Sequence, residues 1–479
     1  MREFPFVGRE DELKSLADLT QKKSSSLVVL RGRRRIGKSR LVEEFAKKYR
    51  CLSFAGVAPT EEITAQLQRE EFAKQLSTNL QAPQLLANDW SDLFSGLVRE
   101  TAKGRVIIFF DEISWMGSKD PLFLGKLKNA WDTELKKNPE LILILCGSVS
   151  SWIDENILKS TGFFGRLSLV LDLEELSVPE CNKLFNEIGF QASANEKFKI
   201  LSVTGGIPRY LEEIKPDRLA DENIKDLCFV KQGVLFREFK EIFIDIFAKR
   251  SGVYQKIVET LVSGDKEFPE IVERIGMSKN GHVSEYLEDL ILSGFIRRDY
   301  TWNVKGPKES KLSRYRLSDN YLRFYLKYIE KNKNKIASKH FNSKSLSTLP
   351  GLDSIMGLQF ENLVLNNRSF IWKKLNIYPE DIVTDNPYFQ RQQLRKMGCQ
   401  IDYLIQTRTN ALYACEIKFS KQEVRPEVIS EVKQKLDHFY LPKGFSIMPV
   451  LIHVNGVSDS INDEQFFSHV INFSELLES

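Results

Sequence analysis

Along the first third of the chain, short unbroken apolar runs take turns with longer stretches that carry an apolar residue at every third or fourth position. Leu27-Val28-Val29-Leu30, Val106-Ile107-Ile108-Phe109-Phe110 and residues 141–146 are too short to favour helix. Such runs suit strands covered on both faces. Cys51-Leu52-Ser53-Phe54-Ala55 reads as a further short strand, and residues 40–49, 61–80 and 90–101 read as helices. Strands and helices in alternation predict a parallel sheet in an α/β domain. Ser177-Val178-Pro179-Glu180 has the form of a capping box with an early proline, so a helix runs towards Gly189 and opens a small helical subdomain. Within it, Gly205-Gly206-Ile207-Pro208-Arg209-Tyr210-Leu211 predicts a tight turn packed back on the first domain.

From Ser251 the rhythm changes. Residues 254–262 and 268–275 predict two helices, and Ser278-Lys279-Asn280-Gly281 a turn before a third. In the third, Val283, Tyr286, Leu287, Leu290 and Ile291 share one face, and Gly294 ends it. Two β-like stretches follow, 295–302 and 313–317, joined by a basic loop at 304–311. Three helices and a hairpin predict a winged helix-turn-helix. An aromatic helix at 321–329 and a lysine-rich connector at 331–344 carry the chain to an amphipathic helix at 357–364. Residues 400–405 then read as a strand, 407–410 as a turn and 412–418 as the returning strand. The expected division is 1–235, 236–325, 326–350 and 351–479.

Composition narrows the class. The chain has 479 residues, 42% hydrophobic and 28% charged, as in a soluble globular protein with several cores. A net charge of +4 over this length does not by itself imply nucleic acid, so any basic surface must be local. No run is long enough to span a bilayer and the N-terminus lacks the order of a signal peptide, so a cytoplasmic protein with no membrane contact is expected. The six cysteines show no C-x-x-C spacing and predict buried thiols rather than zinc ligands.

Chemistry enters at Gly32-Arg33-Arg34-Arg35-Ile36-Gly37-Lys38-Ser39, a G-x-x-x-x-G-K-[ST] loop between a strand and a helix. In that context the glycines let successive backbone N–H groups wrap an anion, Lys38 reaches the β- and γ-phosphates, and Ser39 holds Mg²⁺. The whole span, with Arg40 behind it, is assigned to nucleotide binding. Asp111 and Glu112 end the next long apolar run. Asp111 is the candidate Mg²⁺ partner and Glu112 the candidate base for the attacking water. Ser148, after the run 141–146, either lies beside Asp111 and close to the γ-phosphate or caps a helix beginning near Val149. Arg166, in the loop Gly162-Phe163-Phe164-Gly165-Arg166, is either an arginine finger, in its own subunit or a neighbour in a homo-oligomer, or a partner of a surface carboxylate.

These motifs, with the opening Phe6-Val7-Gly8-Arg9-Glu10 and the GGIPRYL turn, occur in an order that resembles the archaeal-type ATPase family, in the STAND-like branch of AAA-related P-loop NTPases. The resemblance covers roughly the first half of the chain. It implies ATP as the nucleotide and places Gly8, Arg9 and Glu10 near the adenine.

Thirteen residues lie between Asp402 and Glu416, enough for a hairpin that brings them together, and Glu416 and Lys418 share a strand face. Two converging carboxylates suit Mg²⁺ or Mn²⁺, an adjacent lysine can hold a water aimed at a phosphodiester, and Glu361 would complete the site from its helix. Arg391, Arg395 and Lys396 are placed to hold a phosphate backbone, and Gln434 and Lys435 to assist. The D…E-x-K arrangement resembles the restriction-endonuclease-like nuclease fold. The expected fold class is therefore α/β and multidomain: a P-loop NTPase with a parallel sheet and helical lid, a winged helix-turn-helix, and a C-terminal restriction-endonuclease-like α/β domain. Two functions stay open. One is an ATPase with a Mg²⁺-dependent DNA nuclease gated by nucleotide state, and the other a STAND-like switch that binds DNA or a protein without cutting. For the middle module, DNA contact through Lys279, Asn280, the third helix and the lysines of the basic loop stands beside simple domain packing, because Glu285, Glu288 and Asp289 make the third helix acidic.

Overall fold

A computed structural model of the chain describes residues 5–478, except 59, 61, 85, 87, 149, 150, 248–250, 278–280, 342, 343 and 393–396. The chain divides into two compact units, Glu3–Glu175 and Leu176–Ser479.

The first unit is built on five strands, β1 Ser26–Gly32, β2 Arg50–Ala55, β3 Val106–Asp111, β4 Ile142–Ser148 and β5 Leu167–Leu173, all parallel in the order β2-β3-β4-β1-β5. The four strands expected from the sequence are present. The fifth was not expected: it lies at the sheet edge with most of its side chains only partly covered, and in Leu167-Ser168-Leu169-Val170-Leu171-Asp172-Leu173 the unbroken apolar run is just three residues, Leu169 to Leu171. On one face, the helices Ala65–Leu80, Trp90–Glu100 and Phe123–Thr133 bury an aromatic cluster of Phe54, Phe72, Trp90, Phe94, Phe110 and Phe123. Trp90 keeps its polar atom satisfied by donating Nε1–H to Asp120 at 3.0 Å.

In the second unit, the strands β6 Lys266–Glu267, β7 Ile296–Asn303 and β8 Gly306–Leu317 form an antiparallel sheet in the order β6-β8-β7. The helices Ser251–Thr260, Phe268–Ile275 and Gly281–Leu292 precede β7. Strands β9 Ile382–Gln390, β10 Cys399–Thr407, β11 Ala411–Lys418, β12 Ser446–His453 and β13 His469–Asn472 form a mixed sheet in the order β13-β12-β11-β10-β9. Its β9-β10-β11 part is antiparallel and its β11-β12-β13 part parallel.

Three expectations change. The basic loop at 304–311 is almost absent: Asn303 pairs with Gly306, so the turn is Val304-Lys305 and the polar residues from Gly306 onward already belong to β8. Asn303 Oδ1 accepts the Lys305 N–H at 3.2 Å, the local side-chain turn that lets the reversal be this tight. A strand with no apolar run is hard to see in sequence.

Second, the hairpin does not stand alone. Trp302 and Val304 are buried with Tyr388, Ile401, Leu404, Leu412 and Phe439. Trp302 donates Nε1–H to Gln406 Oε1 at 2.6 Å, and Gln406 Nε2 donates to the Val304 carbonyl at 3.0 Å. The spans 236–325 and 351–479 therefore share a core.

Third, the division into compact units falls at 175, inside the expected span 1–235. The helix Ala194–Thr204 packs inside the second unit, where Phe198 meets the ring of Phe360 edge-on and Lys197 donates to the Leu477 carbonyl at 3.2 Å. Gly206 is held against Leu176, whose carbonyl lies 2.2 Å from where a Cβ would be, so the GGIPRYL turn admits no side chain there. Lys279 and Asn280 lie outside the described residues.

Truncation of the buried indole tests the shared core. Trp302→Ala should destabilise the second unit by ~3–5 kcal/mol, read as a lower denaturation midpoint of the full-length chain. A loss below ~1 kcal/mol would mean that the hairpin tip rests on the mixed sheet without being part of its core.

Candidate functional sites

The first site forms where β1, β3 and β4 end together. Gly37 caps the helix Lys38–Ala46 with φ 95°, and Arg35 also has positive φ, at 68°. These two left-handed residues turn the loop back over the end of β1. Gly32 is required for a separate reason: a Cβ there would lie 2.7 Å from the Leu173 carbonyl of β5. Lys38 is buried and its Nζ donates to the carbonyls of Gly32 and Arg33, both at 3.1 Å, so the lysine spans the loop. Ser39 Oγ donates to Asp111 Oδ2 at 2.7 Å. Asp111 Oδ1 accepts the Glu112 N–H at 3.1 Å. Glu112 itself is left-handed at φ 49°, a conformation that costs about 1–3 kcal/mol in a non-glycine residue. Gly56 on the neighbouring strand end makes room for it, since a Cβ there would sit 2.7 Å from the Glu112 carbonyl.

Not every residue of the expected nucleotide set points its side chain at this cradle. Arg33 is buried with its guanidinium 3.5 Å from Glu175 Oε1, and Ile36 is a core residue, so both offer the loop backbone rather than side-chain contacts. Arg34 is half-buried in the loop, and Arg40 is exposed on the helix that follows. Arg9, from the N-terminal segment, donates to the carbonyls of Ile36 at 3.4 Å and Glu174 at 2.5 Å and ties that segment to the loop.

The register also moves Ser148. Phe110 pairs with Leu145, so Cys146, not Ser148, is the β4 residue level with Asp111, while Ser148 is level with Gly32. Ser148 Oγ is buried with no hydrogen-bond partner among the described residues. Cys146 was not singled out in the sequence, because its role is visible only in the parallel register. Burial pushes its thiol well above the usual range, and Asp111 adds to the rise. Arg166 holds Asp132 with both arms, at 2.9 and 3.0 Å, and Asp132 is lowered to about 2, first by this hydrogen bonding. The guanidinium is thus engaged by a carboxylate of its own unit. Val149 lies outside the described residues.

The second site lies on the mixed sheet. Strands β10 and β11 pair with Tyr403 opposite Cys415, which brings Asp402 next to the Glu416 end of β11, and Asp402 Oδ2 accepts the Ile417 N–H at 2.9 Å. Glu416 is only 4% exposed. Lys418 Nζ lies 3.1 Å from Glu416 Oε1 and 2.8 Å from Glu431 Oε2. Lys435, from the helix Glu427–His438, places Nζ 2.5 Å from Glu416 Oε2 and 3.7 Å from Asp402 Oδ1. Asp402, Glu416 and Lys418 are therefore brought together, with Lys435 beside them.

Glu361 belongs to the helix Leu352–Asn366 and feels the charges of Asp402 and Glu416. Burial raises its carboxyl to about 8, and repulsion by Asp402 adds to this, while Arg323 and Arg316 oppose it. Asp402 is raised to about 6, first by burial and then by Glu416, with Lys435 opposing. The donor set is hard carboxylate oxygen, which fits Mg²⁺ or Mn²⁺ in chemical type. Among the described residues, however, no group of three or more His, Cys, Asp or Glu is placed to hold a metal ion. The Lys435 ammonium stands between the carboxylates as the cation that balances them.

Of the outlying bases, Arg391 is paired with Glu267, and Arg395 and Lys396 lie outside the described residues. The residues that sequence reasoning missed are Glu431, Arg316 and Arg323. Arg323 is fully buried and Arg316 is bound to Asp299 and Asn362, so both read in sequence as ordinary basic residues of the middle segment.

The raised Glu361 carboxyl has a measurable consequence in metal-free buffer. Raised from an ordinary 4.5 to about 8 in the folded protein, this carboxyl contributes stability that is full below about 4.5 and is lost as pH rises towards 8. Glu361→Gln should remove ~2–4 kcal/mol of the stability change between pH 5 and pH 8, read by urea unfolding at each pH. An unchanged pH profile would mean that Glu361 is ionised throughout.

Comparison with known proteins bears mainly on the first site. Residues 6–214 match the model of an ATPase domain found predominantly in Archaea, a span that runs past the division at 175. An uncharacterised protein of Methanocaldococcus jannaschii is 28% identical over 366 residues, 75% of this chain and 76% of the relative. A Walker-type ATPase of Pyrococcus abyssi superposes with a TM-score of 0.50 at 19% identity, over 67% of this chain and 96% of that one. The ORC2 protein of Aeropyrum pernix matches with a TM-score of 0.43 at 14% identity, over 71% and 97%.

Proposed function

We propose that this chain, whose N-terminal part is an archaeal-type ATPase domain of the P-loop class, hydrolyses ATP and carries a second site that cuts DNA. The observation that carries the second half is the meeting of Asp402, Glu416, Lys418 and Lys435 in one ion-paired cluster between two paired strands and a helix.

In the ATPase site, the backbone N–H groups after Gly32 and the start of the Lys38–Ala46 helix receive the phosphates. Lys38 exchanges its two loop carbonyls for phosphate oxygens, and the buried Ser148 hydroxyl is available as a donor at the strand end. Glu112, at the end of β3 beside Asp111, orients the attacking water and takes its proton. Ser39 and Asp111 would hold Mg²⁺, which supplies charge neutralisation for the transferring phosphoryl group.

In the second site, Asp402 and Glu416 would hold Mg²⁺ or Mn²⁺, with Glu361 behind them, and the ion would supply a Lewis acid for a phosphodiester. Lys418, an ammonium kept in place by Glu416 and Glu431, holds the attacking water. The three helices and the β6-β8-β7 sheet support a winged helix-turn-helix reading, and the acidic Glu285, Glu288 and Asp289 of the third helix suit a positioning role better than groove reading. Nucleotide state is proposed to gate cutting. A second reading, a nucleotide-dependent switch that binds DNA or a partner without cutting, is favoured by one fact: no group of three metal-ligating side chains is assembled among the described residues.

Glu112→Gln should bind ATP with wild-type affinity and lose ~10²–10⁴-fold in turnover by phosphate release, whereas Lys38→Ala should lose nucleotide binding. Unchanged turnover in Glu112→Gln would remove it as the base. Supercoiled plasmid with Mg²⁺ or Mn²⁺ tests the second site: the wild type should nick it and Asp402→Ala should not. Equal nicking by both would assign the cutting elsewhere, and none by either would leave the switch.

A further inference from the structure

The charges of the second site are paired unequally. Glu416 takes Lys418 on one oxygen at 3.1 Å and Lys435 on the other at 2.5 Å. Lys418 has a partner outside the carboxylate pair, Glu431 at 2.8 Å. Lys435 instead bridges the pair, reaching Asp402 at 3.7 Å. A single ammonium thus sits where Asp402 and Glu416 would jointly contact a divalent cation, and two cations cannot share that position. The lysine is able to leave it. It comes from the last turn of the Glu427–His438 helix, whose Lys435 carbonyl is contacted by Cys399 Sγ at 3.2 Å, and its flexible side chain is 33% exposed.

We infer that Lys435 is a built-in counter-ion, holding Asp402 and Glu416 together in the cation-free protein and displaced towards solvent when a divalent cation enters. This rests on the reading of these residues as a phosphodiester-cutting site. The arrangement selects for charge: a monovalent ion would only replace what Lys435 already supplies, whereas a divalent ion leaves the carboxylates better neutralised and frees an ammonium at the mouth of the site. That ammonium is then available to a phosphate oxygen. The lysine so acts as a positioning residue, coupling occupancy by the ion to the appearance of a phosphate contact.

The test is calorimetric titration of the full-length protein with MnCl₂ and no nucleotide, with Asp402→Ala defining the signal from this site. Lys435→Met, which keeps the stem and removes the charge, should bind Mn²⁺ at least about tenfold more tightly, within the range that one adjacent unit charge can supply. Lys435→Arg, whose planar fork grips two carboxylates better, should bind it more weakly. Lys433→Met removes a charge from the same helix, where Lys433 lies over the Phe466 ring, and should leave the affinity unchanged. Circular dichroism checks folding, with Lys435→Gln replacing a methionine variant that fails it.

Equal affinities in wild type, Lys435→Met and Lys435→Arg, all lost in Asp402→Ala, would overturn the counter-ion while leaving the metal site standing. Tightening by Lys433→Met as large as by Lys435→Met would overturn it too, as a plain through-space effect. Absence of any Asp402-dependent signal in every variant would overturn the site reading itself, and the counter-ion with it.

Discussion

Half-buried and buried carboxylates must be satisfied by hydrogen bonds or by opposite charge, and the partner that does so sets what each one can do. In the first unit Asp111 is engaged by a hydroxyl, Ser39 at 2.7 Å, which can stay in place when a cation arrives. In the second unit Asp402 and Glu416 are engaged by ammonium groups, which must give way. Asp132 is neutralised by an arginine held at two points. The three solutions differ in how easily the carboxylate can change partners, which separates a ready nucleotide cradle, a site held by its own lysine, and a fixed ion pair.

The second unit is less divisible than its sequence suggests. Arg316, on β8, binds Asp299 on β7 and Asn362 on the helix that also carries Glu361. Asn362 Nδ2 in turn donates to the carbonyls of Leu317 and Ser318 at 3.1 and 3.2 Å. The middle segment therefore supplies positive charge to a carboxylate of the mixed-sheet site, and the hairpin tip supplies Trp302 to its core.

The parts legible in the sequence are those where one residue type answers one local demand. The apolar runs gave β1, β3 and β4, the loop motif gave the cradle, and the thirteen-residue spacing gave the hairpin that joins Asp402 to Glu416. Missing were features fixed by register or by a distant partner. Strand β5 is half-covered at an edge, so its apolar run is only three residues; Cys146 rather than Ser148 stands level with Asp111 because the strands pair in parallel with Phe110 at Leu145. The Val304-Lys305 turn is short because of a single asparagine, and Arg166 finds Asp132 on a helix far back in the chain. Lys435 was visible as a basic residue on the following helix, but its bridging position follows only from the helix docking against β10 and β11.

The claim on which the account stands is that one polypeptide houses two cation-dependent phosphate sites, one for a nucleotide and one for a polynucleotide backbone. Anomalous scattering from crystals grown with Mn²⁺ and a non-hydrolysable ATP analogue measures this directly. The account predicts one peak beside Ser39 and Asp111, a second between Asp402 and Glu416, and Lys435 withdrawn from both carboxylates. A peak at the nucleotide alone, with Lys435 still bridging, would contradict it.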